Sequence, residues 1–177
     1  MRNTFALTAV LLAILLPAAA LAQQGEASVI AKFKEKDPGM AKVFADAYGY
    51  AIFPTVGKGA IGIGGARGKG NVFERGIRIG RSTLTQITLG FQLGGQAYSE
   101  VIFFKDKTAL DDFKRGNFEF DAQMSAIALT ARASRDLAYN RGVAIVTMAK
   151  GGLMYEASVG GQKFSYKTAG GRSRLTP

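Results

Sequence analysis

The spacing of apolar and polar positions changes along the chain, and each change predicts an element. In "ASVIAKFKEK", residues 27–36, Val29, Ile30 and Phe33 recur at helical spacing while Lys32, Lys34, Glu35 and Lys36 fill the other positions. That pattern predicts a short amphipathic helix. In "DPGM", Asp37 is placed to cap a second helix and Pro38 to open it, from Pro38 to Ala47, with Met40, Val43, Phe44 and Ala47 on one face.

From Ala51 the period becomes two. "AIFPTV" reads as a short strand in which Pro54 implies an edge position or a bulge. In "GAIGIGGA", Ile61 and Ile63 alternate with Ala60, Gly62 and Gly64, as in a strand lying close against another backbone. "NVFERGIRIGR" reads as two strands around a turn at Glu74-Arg75-Gly76. Along residues 83–104, Thr85, Ile87, Leu89, Phe91 and Leu93 alternate with Gln86, Thr88, Gly90 and Gln92. After Gly94-Gly95, a bulge, bend or turn, Tyr98, Glu100 and Ile102 alternate with Ser99, Val101 and Phe103.

Asp106 is placed to cap a helix from Lys107 to Arg115, with Leu110 and Phe113 inward. Residues 117–133 alternate and read as strand, although their alanines keep helix open. "SRDLAYNRG" reads as a short helix or turn, and "VAIVTMA" and "GLMYEASVGGQKFSY" as closing strands. The fold class is α+β: a Gly-rich, mostly antiparallel twisted sheet or partly closed barrel, with N-terminal helices and a helix near 107–115.

The first 22 residues change the picture. Arg2, an apolar run from Phe5 to Leu16 and the exit Ala20-Leu21-Ala22 have the layout of a cleavable secretory signal, with cleavage expected before Gln23. The domain plan is then 1–22 signal peptide, 23–168 one domain and 169–177 a basic, disordered tail. The protein is expected to be exported, periplasmic or secreted, with peripheral membrane association.

Charge and missing residue types narrow the chemistry. The chain carries 23 basic and 13 acidic residues for a net charge of +10, and loss of Arg2 with the signal leaves one fewer. That excess favours anionic partners, and export argues against nucleic acid. No cysteine or histidine is present, which removes histidine triads and the usual zinc sites. No metal and no cofactor is expected. Gly68-Lys69 is followed by Gly70, not by Ser or Thr, and Arg67 stands where G-x-G-x-x-G needs its last glycine. Nucleotide binding is therefore not expected. Glu74 and Glu100 are the acids that could act as a pair, and two unrelated surface glutamates are the blander reading. A small outer-membrane barrel is a further reading of the alternating strands. Lys58, Arg67, Lys69, Arg75, Arg78 and Arg81 form a basic group along the glycine-rich strands.

"YAIFPTVGKGAIGIGGARGKGNVFERG" and "STLTQITLGFQLGGQAYSEVIFF" together resemble the SYLF domain, a lipid-binding module also found in actin-patch proteins of eukaryotes. The likeness is strongest from Ala51 to Phe104 and looser before and after. It implies a non-enzymatic domain that binds acidic phospholipids, phosphoinositides in eukaryotic members, through an amphipathic first helix and nearby basic residues. The corresponding positions are Lys32, Phe33, Lys34 and Lys36, then Lys58 and Lys69, with Arg67 and Arg75 beside them. The signal peptide points to a bacterial envelope, where actin is not expected, so an anionic phospholipid membrane is the expected partner. The alternative is an envelope scaffold or stress protein that binds a protein or an anionic glycan.

Overall fold

The computed structural model describes residues 18–61, 63–89, 96–115, 118–121, 124–150 and 157–174. Helix α1 (Ala18–Lys36) runs straight through the expected cleavage point and precedes α2 (Met40–Asp46). Val29 and Phe33, four residues apart, are buried, while Lys32 and Lys36 are exposed, as i, i+4 spacing on a helix requires. Asp37 joins the two helices to the rest of the fold: its carboxylate accepts from Gly39 N at 2.9 Å and from Ser134 N at 2.6 Å.

The strands follow as β1 (Gly49–Ile61), β2 (Ile63–Glu74), β3 (Ile77–Leu89) and β4 (Gln96–Phe104). After α3 (Lys107–Lys114) come β5 (Phe118–Glu119), β6 (Ser125–Ala128), α4 (Ala133–Asp136), β7 (Val143–Ala149), β8 (Ala157–Ser158) and β9 (Lys163–Arg174). Their order across the sheet is β5-β9-β3-β2-β1-β4-β7-β6-β8. The pairings are antiparallel except β6 with β7. Residues 120–124 join β5 to β6, and residues 159–162 join β8 to β9, although these strands belong to opposite edges of the sheet. Links that short require the sheet to curl until its edges approach. Phe120 N donates to Gln162 O at 3.0 Å, and Gly161 N to Phe120 O at 2.9 Å, where the two links meet. The result is a curled half-barrel.

Each face of the central strands has its own core. Inside the curl, Phe53, Val56, Leu84, Tyr98, Ile102, Phe104 and Phe164 pack with Leu110 and Phe113 of α3. Outside it, Tyr50, Ile52, Phe73, Val101 and Phe103 pack with Val29, Phe33, Met40 and Phe44 of the first two helices. Asp106 accepts from Ala109 N at 2.9 Å as the N-cap of α3, as its sequence position predicts. Asp106→Ala should lower stability by about 1 kcal/mol. An unchanged denaturation midpoint would mean that the cap adds nothing.

Several expectations need correction. Pro54 lies at a bulge, as expected, but in a central strand, because the register shifts there on both sides of β1. A strand running through "GAIGIGGA" is ruled out, since Ile61 pairs with Ile63 across the β1–β2 reversal. The chain does turn at Glu74-Arg75-Gly76, with positive φ at Arg75 (49°) and Gly76 (76°). The Gly94-Gly95 break lies outside the described residues. The tail expected to be disordered from 169 is strand as far as Arg174, which pairs with Ile77. Along β3 the expected alternation holds, with Ile87 on the solvent side, 80% exposed, and Gln86 buried on the face of Leu84, its Nε2 donating to Gly160 O at 3.0 Å. The curl has a polar zone at that end, and it takes the glutamine.

Candidate functional site

Residues directly opposite one another in antiparallel strands share a face. The register therefore gives three transverse rows on the outer face. Asn71, Arg81 and Lys167 form the first across β2, β3 and β9. Thr55, Lys69, Thr83 and Ser165 form the second, and Gly57, Arg67, Thr85 and Lys163 the third. Arg67, Lys69, Arg81 and Lys167 are all exposed. Neighbouring strands are about 4.8 Å apart and successive rows about 6.6 Å. Cations and hydroxyls thus alternate at distances that one phosphate or sulfate can bridge.

Helix α1 closes one end of this face. A groove of about 730 Å³ remains, with Pro54, Arg67, Lys69, Asn71, Arg81 and Lys167 among its lining residues. Glu26 reaches in from α1 and is only 2% exposed. Asn71 Nδ2 donates to its Oε1. Burial pushes the Glu26 carboxyl up to about 7, against the opposing pull of Asn71, Arg78 and Arg81. The nearby Arg78 Nε is buried without a hydrogen-bond partner among the described residues.

The residues singled out in the sequence do not form one site. Arg67 and Lys69 line the groove. Lys58 lies opposite Ala66 and Gln96, on the inner face, so it is turned away from both. Arg75 occupies the β2–β3 turn with its guanidinium 5.1 Å from the centre of the Tyr48 ring, roughly 20 Å along the strand from Lys69. Lys32 and Lys36 are exposed on α1 and Lys34 is half-buried. Phe33 is corrected outright. It is 0% exposed, packed edge-on to Phe44 at 6.1 Å, and belongs to the outer core, not to a contact surface.

Three groove residues were missed. Lys167 sits two residues before the segment expected to be disordered, and was not named among the binding residues. Glu26 and Asn71 carry no signal in the sequence, because 45 positions separate them and only the packing of α1 joins them. Arg81 belonged to the basic group but was not separated from it.

The paired-carboxylate reading also falls. Glu74 pairs with Gly49 and Glu100 with Phe53, on strands either side of β1. That spacing places their backbones roughly 16 Å apart, beyond the range of a glycosidase pair. Nor is Glu100 a surface residue: it is 0% exposed inside the curl. Gln162 Nε2 donates to its Oε2 at 3.1 Å and to the Tyr98 hydroxyl at 3.3 Å. Burial pushes the Glu100 carboxyl up to about 8. The small outer-membrane barrel fails on the outer face, which carries charged rows and helices where a spanning barrel presents an apolar band to lipid.

A family model described as "Ysc84: Las17-binding protein actin regulator" matches residues 85–170. The chain is 28% identical over 148 residues to Beta cell expansion factor A of Aeromonas veronii, an alignment covering 82% of this chain and 55% of that protein. The chain therefore spans about half the length of that curated relative. The family match starts within β3 and takes in the last third, where the likeness read from the sequence is looser; it leaves out most of the glycine-rich stretch that carried it. Residues 85–170, just under half of the chain, thus match the Ysc84 (SYLF) domain family, for which lipid binding is the general property.

Proposed function

We propose that this protein binds anionic phospholipid without catalysing a reaction, and that the outer groove receives the headgroup. One observation carries the reading: Arg67, Lys69, Arg81 and Lys167 share one sheet face with Thr55, Thr83 and Ser165 around an open groove. The family match supports lipid as the ligand class. The four cations supply the attraction, each worth about 1 kcal/mol near an anionic surface, and the hydroxyls donate to phosphate oxygens. With its signal peptide, the protein would act at the envelope surface; actin is no part of the proposal.

The test is cosedimentation with vesicles of phosphatidylglycerol in phosphatidylcholine. Charge reversal of Arg67 and Lys69 to Glu should weaken binding by roughly tenfold or more, and Arg75→Glu should change it little. Raising the salt from low to high should weaken wild-type binding. Equal binding by the double variant and the wild type would remove the groove from the function.

A further inference from the structure

We propose that Glu26 gates the outer groove by taking up a proton: ionised, it stands in for a phosphate among the groove cations, and protonated, it yields them to the ligand. This deepens the headgroup reading and rests on it. Glu26 is the acid among the groove's lining residues, comes from a different element than the cations, and is held by Asn71 in the same row as Arg81 and Lys167. Its side chain is buried, so water does not screen it as it would an exposed carboxylate. The ligand class is an oxyanion of the phosphodiester or sulfate type, which a lipid headgroup and a free anion share.

The described groups facing Glu26 come from four strands. Tyr50 on β1 feels its charge. Asn71, Arg67 and Lys69 come from β2, Arg78 and Arg81 from β3, and Lys167 from β9. The chain has no histidine or cysteine. Among the described side chains, Glu26 at about 7 and Glu100 at about 8 have pKa values raised into that window, and Glu100 lies inside the curl. Linkage then fixes the sign: anion binding strengthens as pH falls, and a bound anion raises the proton affinity of Glu26 by the same factor.

The experiment compares wild type, Glu26→Gln and Glu100→Gln across pH 5.5 to 8.5. Phosphatidylglycerol vesicles serve in one arm and sodium sulfate in the other, since neither anion titrates in that range. Wild type should bind about fivefold more tightly at the acid end. Glu26→Gln should bind at the tight limit throughout, and Glu100→Gln should keep the wild-type profile. The chain terminus is common to all three and cancels. The gain in both arms marks a site for the anion itself; the gain with vesicles alone marks one that needs the membrane surface; either supports the gate. A Glu26→Gln protein that keeps the wild-type pH profile, or binds more weakly at every pH, overturns it. Should that variant not fold, carboxyl NMR of the wild type decides: sulfate must move the Glu26 midpoint upward, and an unmoved midpoint overturns the gate. Loss of binding on reversing Arg67 and Lys69, together with a flat effect of Glu26→Gln, would remove the gate and leave the headgroup reading standing.

Discussion

Gly70→Ala should be among the most damaging single-methyl substitutions in this protein, costing roughly 3 kcal/mol or more. Between the pairs Ile52–Asn71 and Thr55–Lys69, β1 spends Phe53 and Pro54 where β2 spends Gly70 alone. The bulge pushes β1 backbone toward that glycine. A Cβ there would fall on the Ile52 carbonyl oxygen and lie 2.8 Å from Phe53 Cδ1. Both obstacles belong to buried central structure and cannot swing aside. Gly57 and Gly59, a few residues away, have nothing within 4 Å of the same added atom. Gly57→Ala and Gly59→Ala should therefore leave stability within about 0.5 kcal/mol of wild type or raise it slightly. Urea denaturation of the three variants decides the matter, and near-equal midpoints would contradict the bulge packing.

Glu100→Gln should stabilise the protein at alkaline pH and flatten its stability profile. The carboxyl is 0% exposed, and its pKa rises from the ordinary 4.5 to about 8 on folding. The folded state thus holds a proton that the unfolded chain releases. For a group raised in this way, full stability is present below the unfolded value and is lost as pH climbs through the folded value. The loss should run from about pH 4.5 to about pH 8 and reach at most about 5 kcal/mol. Glutamine keeps an acceptor for Gln162 and carries no charge to bury. Chemical denaturation at pH 5, 7 and 9 should show wild type weakening and the variant nearly level, apart from the smaller slope from Glu26. A variant with the wild-type slope would place the pH sensitivity elsewhere.

Local signals carried the elements well. Asp106 as a cap, the Glu74-Arg75-Gly76 turn, and the alternation of Tyr98, Glu100 and Ile102 against Val101 and Phe103 all depend on near neighbours, and all are found. What failed depends on which face a strand presents. Alternation shows that Gln86 and Ile87 point opposite ways, but not which of them enters the curl. The same limit applies to the cations. Lys58 and Lys69 look equivalent in a glycine-rich run, yet the β1–β2 reversal turns one inward and the other outward.

By itself the sequence determined an α+β chain with a Gly-rich antiparallel sheet, helix-forming segments before it, a strongly basic charge, and a likeness to a lipid-binding family. Those properties are local or compositional, so neighbouring residues suffice to state them. Only the tertiary structure decided that Arg67, Lys69, Arg81 and Lys167 share a face, that Phe33 belongs to the core, and that Glu26 reaches the groove. Each depends on strand register and on how α1 docks, and these bring together residues as far apart as Glu26 and Asn71. A sheet with glycine at many positions accepts several registers by pattern alone. The register is selected by the long-range packing of its two cores and by the Pro54 bulge seated against Gly70.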